Sequence, residues 1–321
     1  MDVEVDSEKF EFIKREKPTF YFIGVTTSKS SIIKVFPLWM KELRFPDVQI
    51  VGCDLKLHDS ENAYRQAVAQ IKFDPLSLGA LVTTHKIDLY EATKDMFDYI
   101  DPYAKLCGEI SCISKSNGQL EGYAKDPISV GLSMNSIINK KYFIKNGANV
   151  LIFGAGGSGV ATVIHSASKN NIGGTPSKVI VVNRSKPRLD NLKTIVNKFN
   201  VRINIEYILN EDPIRNDMII ANLPDYSIVI NATGMGKDRP DSPITDNGIF
   251  PMYGIAWDFN YRGELNFLRQ AERQALSRKI RVEDGWTYFI HGWTQVISQV
   301  LHIKIGNKLL EKLIMIANTI R

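Results

Sequence analysis

Residues 149–170 read NVLIFGAGGSGVATVIHSASKN. Four apolar residues (150–153) have the look of a short buried strand. A glycine turn follows, and then an apolar pattern with helical spacing. Gly154, Gly156 and Gly159 satisfy G-x-G-x-x-G in the context that gives the motif its meaning, directly after a strand and at the opening of a helix. The first glycine permits the tight turn. The second lets backbone approach a pyrophosphate, and the third lets helix and strand pack closely. The unpaired N–H groups of Gly157, Ser158 and Gly159 and the positive end of the helix dipole then face the phosphates.

Downstream, KVIVVNRS (178–185) is the next strand. It ends in Asn183-Arg184-Ser185, with Arg188 shortly after. A carboxylate at this strand end normally holds a ribose 2′-hydroxyl. None is present, and a planar guanidinium suits a 2′-phosphate. The expected cofactor is therefore NADP. Further strands lie at IVINATG (228–234) and GIAWDFNY (254–261). Asn231 and Thr233, on a polar turn at a strand's carboxyl end, are candidates to line the cofactor crevice.

Upstream, FYFIGV (20–25), VQIVGCDL (48–55) and GALVT (79–83) alternate with helical patterns, one of them capped by Ser60. This order predicts a second, mostly parallel sheet with helices on both faces. GEISCISKSNGQLEGYAKD (108–126) carries a hairpin signal at Asn117-Gly118. KNGAN (145–149) reads as a turn, and two helical stretches end the chain. The expected fold class is α/β. A three-layer α/β substrate domain over 1–130, completed by helices in 286–321, joins a doubly wound Rossmann domain over 131–285.

The bulk composition is that expected of a soluble globular protein. Of the 321 residues, 44% are hydrophobic and 23% charged, near the globular average. The formal net charge of +5 is spread along the chain and forms no basic block, so nucleic acid is not an expected partner. Three cysteines without metal-ligand spacing predict a reduced, cytoplasmic setting and no metal. No run of 18 apolar residues suggests a membrane span. Only the acidic opening MDVEVDSEKF is expected to lack order.

Several segments together resemble the shikimate dehydrogenase family over nearly the whole chain. Ser28-Lys29-Ser30 resembles its SKS signature, whose serines bind the substrate carboxylate. Val82-Thr83-Thr84-His85-Lys86 resembles its VTxPxK segment, shorter by one residue, with the catalytic lysine at Lys86. Gly118, Leu120, Gly122 and Asp126 follow the stretch that ends in the catalytic aspartate. Residues 154–159, Asn183-Arg184-Ser185 with Arg188, Asn231-Ala232-Thr233, Asp258 and Asp284-Gly285 follow its later motifs in order. The chain also departs from the pattern. Leu81 and Ser111 stand where the family has asparagines, the proline of VTxPxK is absent, Trp257 replaces a tyrosine, and the glutamine of the last segment falls at Gly292, beside His291.

The resemblance implies an NADP-dependent oxidoreductase that interconverts a ring secondary alcohol and ketone, in the chemistry of aromatic amino acid biosynthesis. Lys86 is the implied acid/base and Asp126 its charge-assisted partner. Asp126 also suits a helix N-cap, with Pro127 at the first helical position. Ser28, Ser30, Thr83, Ser111 and His291 are the implied substrate contacts, and Gly285 lies near the nicotinamide. His85 reads equally as pocket lining or as a hydrogen-bonding neighbour. His291 reads equally as a satisfied buried histidine or as a polar substitute for the missing glutamine. The site is expected in the cleft between the domains, and the protein is expected to be a monomer or homodimer. The lost asparagines leave the ring acid open: shikimate, quinate, aminoshikimate or a cyclitol. A methylene-tetrahydrofolate dehydrogenase-like reductase and a non-catalytic NADP-binding regulator are the rival readings.

Overall fold

The structure, a computed structural model, describes residues 12–199, 203–237 and 239–321. The acidic opening segment lies outside the described residues, apart from which the chain runs as follows. β1 (Thr19–Gly24), α1 (Ile32–Glu42), β2 (Gln49–Asp54), α2 (Glu61–Phe73), β3 (Ser77–Val82), α3 (Lys86–Thr93), β4 (Tyr99–Ile100), α4 (Pro102–Cys107), β5 (Cys112–Ser116) and β6 (Gln119–Tyr123) come first. Next come α5 (Asp126–Ile137), α6 (Tyr142–Asn146), β7 (Val150–Phe153), α7 (Gly157–Ser166), β8 (Val179–Asn183), α8 (Lys186–Lys198), β9 (Ile205–Leu209), α9 (Pro213–Ala221), β10 (Ile228–Asn231) and β11 (Ile255–Asp258). α10 (Asn266–Glu272), α11 (Ala275–Arg278), β12 (Arg281–Glu283), α12 (Trp286–Val300) and α13 (Asn307–Asn318) complete it. Two compact units result, one of Met1–Lys125 with Gly292–Arg321, the other of Asp126–His291.

The first unit is built on a six-stranded sheet in the order β2-β1-β3-β5-β6-β4. β1 is parallel to β2 and β3, whereas β5 runs antiparallel to β3, and β6 antiparallel to β5. β1 is buried throughout, so its alternate residues feed two cores. Tyr21 and Ile23 join Ala80 and Val82 of β3, Val68 and Ile71 of α2 and Leu89 of α3. Phe20 packs against Phe36 of α1 at 5.3 Å, and Phe22 meets Trp293 of α12 edge-on at 4.9 Å. Trp39 of α1 donates its Nε1–H to the Leu313 carbonyl of α13 at 2.8 Å. Ser60 caps α2 by accepting from Ala63 N–H at 3.2 Å. Asn117 and Gly118, at φ of 50° and 80°, form the two-residue turn between β5 and β6, both left-handed as Asn-Gly favours.

The second unit carries a six-stranded parallel sheet in the order β12-β11-β10-β7-β8-β9. Counted from β7, this is the doubly wound order in which the chain reverses direction between β7 and its neighbour β10. Ligands of such sheets bind outside the strands' carboxyl ends at that reversal. The segment read as a turn at 145–149 is the end of a short helix. α6 closes at Gly147, whose φ of 61° gives the helix a left-handed exit.

Candidate active site

In the first unit, the strand directions bring one set of chain segments to one sheet edge. The carboxyl ends of β1, β2 and β3 share it, as do the start of β5 and the end of β6. Leaving β1, the chain makes a one-turn helix over Thr27–Lys29. Thr27 N–H is held by Asp54 at the end of β2, at 2.8 Å. A side-chain carbon at Gly24 would meet the methyls of Thr27 and Thr83 at 3.1 Å each, so the Ser-Lys-Ser turn and Thr83 flank the same point. Ser28 is exposed and Ser30 buried. Ser31, not either of them, stands at the N-cap of α1, and its side chain makes no capping bond.

Lys86 and the residue before Asp126 are fastened to consecutive positions of one segment. The Lys86 carbonyl accepts from Ile110 N–H at 3.1 Å. Lys125 N–H donates to the Ser111 hydroxyl at 2.8 Å. Ser111 also accepts from Val82 N–H at 2.9 Å and donates its own N–H to the Tyr123 carbonyl at 2.9 Å. The Ser111 side chain is thus occupied in joining the ends of β5 and β6, its hydroxyl also lying 3.5 Å from the Tyr123 carbonyl. Asp126 is buried at the first position of α5, and Lys86 is half-buried at the first position of α3.

In the second unit, the glycine turn is as tight as its spacing implies. Gly154 sits at φ 110°, and a side chain there would reach the Ala232 carbonyl oxygen at 2.6 Å. A side chain at Gly159 would lie 2.2 Å from the Gly154 carbonyl. Gly156 and Gly157 open α7. The Asn183 side chain accepts from Ala155 N–H at 3.3 Å and donates to the Ser185 carbonyl at 3.1 Å, tying the end of β8 to the turn. The Arg188 guanidinium lies 3.6 Å from where a Gly156 side-chain carbon would be, while Arg184 is exposed beside Ser185, the N-cap of α8.

The Asn231 turn closes the other side. Its carboxamide oxygen accepts from Thr233 N–H (3.2 Å) and Thr233 O–H (2.7 Å). Its amide donates to Asp258 at 3.0 Å and to the Met235 carbonyl at 3.2 Å. Asp258 is fully buried, and burial pushes its carboxyl up to about 7 against the lowering effect of these hydrogen bonds. Gly285 packs so closely on the Phe259 carbonyl that a side chain there would stand 2.1 Å away.

Tyr288, three residues on, donates to the Ser158 hydroxyl at 3.3 Å and sets its ring 4.7 Å from Phe259. Sequence reasoning missed Tyr288; its signal was a position one helical turn beyond Gly285. His291 is buried, and its ring is pushed down to about 4 by that burial. Among the described residues, no group of three His, Cys, Asp or Glu is placed to hold a metal ion, and no helix is long and apolar enough to cross a membrane.

No family model matches the chain. A curated relative from Symbiobacterium thermophilum, shikimate dehydrogenase (NADP(+)), is 27% identical over 214 residues, which is 66% of this chain and 67% of the relative. The protein of the same name from Nitrosopumilus maritimus is 27% identical over 165 residues. The chain is a divergent relative of the shikimate dehydrogenases. The match spans 53% of the second relative's length. The fold agrees over a longer stretch. Shikimate dehydrogenase 1 of Peptoclostridium difficile superposes with a TM-score of 0.67, covering 94% of this chain and 97% of that one at 20% identity. Quinate dehydrogenase of Corynebacterium glutamicum, solved with NAD, reaches 0.68, covering 94% and 99% at 17% identity. The two-domain α/β architecture expected from the motifs, with a Rossmann domain, is that of these dehydrogenase structures.

Proposed function

We propose that this protein is an NADP-dependent oxidoreductase that interconverts a secondary alcohol and a ketone on a small ring acid. The observation that carries the reading is the shared anchorage of Lys86 and Lys125 on Ile110 and Ser111, at the sheet edge that also bears Thr83 and the Ser-Lys-Ser turn. The curated relatives named shikimate dehydrogenase (NADP(+)) support the same activity and cofactor.

The glycine turn fits the cofactor. Side chains at Gly154 and Gly159 would collide with backbone, so this narrow turn leaves amides free to face a pyrophosphate. Arg188, lying over that turn, and the exposed Arg184 supply guanidinium groups for a 2′-phosphate. Bound nicotinamide supplies the hydride chemistry. The chain's own residues do the remainder. Ser28 and Ser30 hold the carboxylate. Lys86 takes the hydroxyl proton in oxidation and returns it in reduction, and Asp126 holds the ammonium in place. A cytoplasmic setting is in keeping with three cysteines, none of them in a disulfide and two of them buried.

The test is NADPH absorbance with shikimate, quinate, aminoshikimate and cyclitols, using NADP and NAD in parallel. NADP is expected to support the faster turnover. Lys86→Met is expected to lower kcat by about 10²–10⁴-fold while NADPH affinity holds. Equal or better rates with NAD would overturn the arginine argument, and undiminished kcat in Lys86→Met would overturn the proton-transfer assignment.

A further inference from the structure

One set of polar side chains in the first unit has no part in this chemistry. His85 directly precedes Lys86, and the residue is only 1% exposed. Its Nδ1 lies 3.2 Å from the Tyr64 hydroxyl of α2, the two rings 5.6 Å apart. The Tyr64 oxygen accepts from Asp59 N–H at 3.2 Å and lies 3.5 Å from Asp88 Oδ2 of α3. Asp88 Oδ2 in turn meets His58 Nδ1 at 3.0 Å. One placement of protons suits every member of this chain. Nδ1–H donates to Tyr64, and the tyrosine proton goes to Asp88. His85 Nε2 is then a buried lone pair with no hydrogen-bond partner among the described residues. An imidazole buried for a single hydrogen bond is a poor filler, since its second nitrogen is desolvated without return.

The adjoining backbone gives the ring a purpose. Thr84 stands at φ 57°, a left-handed conformation that β-branched residues avoid. His85 N–H turns straight back to the Thr83 carbonyl, closing a three-residue turn. Such strain persists only where the surroundings over-determine it. Lys86 begins α3 immediately after this turn, and His85, at the N-cap position, makes no side-chain capping bond. Among the described residues, the one hydrogen bond of the His85 ring that ties the turn to a neighbouring element is that to Tyr64 on α2.

We propose that His85, held by Tyr64, is a positioning residue that fixes the direction in which the strained turn presents Lys86. The proposal rests on Lys86 being the acid/base. His85 touches no substrate in this account, and its effect passes entirely through its neighbour.

Three variants of the full chain test it. His85→Leu removes the ring's hydrogen bond, Tyr64→Phe removes only the hydroxyl, and His85→Asn keeps an amide donor near the Nδ1 position. The first two are expected to lower kcat about tenfold or more at unchanged KM for NADPH, and His85→Asn is expected to restore most of it. Unchanged kcat in both His85→Leu and Tyr64→Phe overturns the proposal. So does a His85→Asn variant as impaired as His85→Leu.

A second readout needs no turnover: the pH profile of acylation of the Lys86 amine, followed by mass spectrometry with Lys29 as internal control. The Leu and Phe variants are expected to shift the Lys86 profile by about half a unit or more, leaving His85→Asn at the wild-type position. A profile that stays put in both overturns the proposal. If wild type turns over none of the ring acids, the oxidoreductase reading fails and this profile alone decides. If His85→Leu does not fold, Tyr64→Phe carries the comparison.

Discussion

At the scale of single residues, the proposed cofactor preference rests on two arginines. Arg188 projects over Gly156, and Arg184 stands exposed at the end of β8. A charge-assisted hydrogen bond contributes roughly 1.5–3 kcal/mol, equivalent to about 10–100-fold in affinity. Arg188→Ala is therefore expected to raise the Kd for NADP by about tenfold or more while leaving that for NAD nearly unchanged. Titration of both dinucleotides by fluorescence checks this, and equal losses for the two would show that the guanidinium does not meet the 2′-phosphate. Most of the proposed site residues could be picked out in the sequence because each sits on a motif at a strand end. Tyr64 and His85 were not legible as a pair. They lie 21 positions apart, and only the packing of α2 on β3 and α3 joins them. Ser111, whose type and place suggested a substrate contact, has its hydroxyl accepting from Lys125 N–H, a bond the sequence does not disclose.

At the scale of elements, the strand-turn-helix β7–α7 depends on Gly159. A methyl there would stand 2.2 Å from the Gly154 carbonyl, so helix and strand would have to separate. Gly159→Ala is expected to cost about 1–3 kcal/mol of stability and to weaken dinucleotide binding about tenfold or more. Urea unfolding and NADPH titration measure the two effects. Unchanged binding would mean that the phosphates do not use this turn. The strands and helices flanking the motifs were readable because their apolar residues keep a clear period, whereas α8, β9 and α9, which carry no motif, were passed over. β12, α10 and α11 were not read, for they span only three, seven and four residues. Neither period nor propensity accumulates over so few positions. α6 was hidden for the same reason, and its closing glycine looked like a turn.

At the scale of the whole molecule, three buried groups contribute to how stability varies with pH. Asp258 has its carboxyl raised to about 7, so the fold favours the protonated form. Its contribution is complete below an unfolded value near 4 and is lost as pH rises through about 7, a change of about 4 kcal/mol at most. His165 and His291 are both pushed down to about 4 by burial. Their contribution is complete above about 6.5 and is lost as pH falls toward 4, about 3 kcal/mol each. Urea unfolding at pH 4.5, 6 and 8 should find the acid limb shallower in His165→Leu, and the loss between pH 4 and 7 smaller in Asp258→Asn. Curves parallel to wild type in both would sink the assignment.

The first unit is also discontinuous, because it closes with Gly292–Arg321. A ribosome delivers the chain from one end, and domains fold as units during synthesis. The nascent strand β1 therefore emerges long before Trp293, the ring that meets Phe22. Until residues 292–321 leave the exit tunnel, the sheet face that α1 shares with Trp293 is only partly covered, and the middle domain is the first that can finish. A stalled or truncated product ending near residue 291 should accordingly be a substrate for chaperones, whatever the condition of its dinucleotide fold.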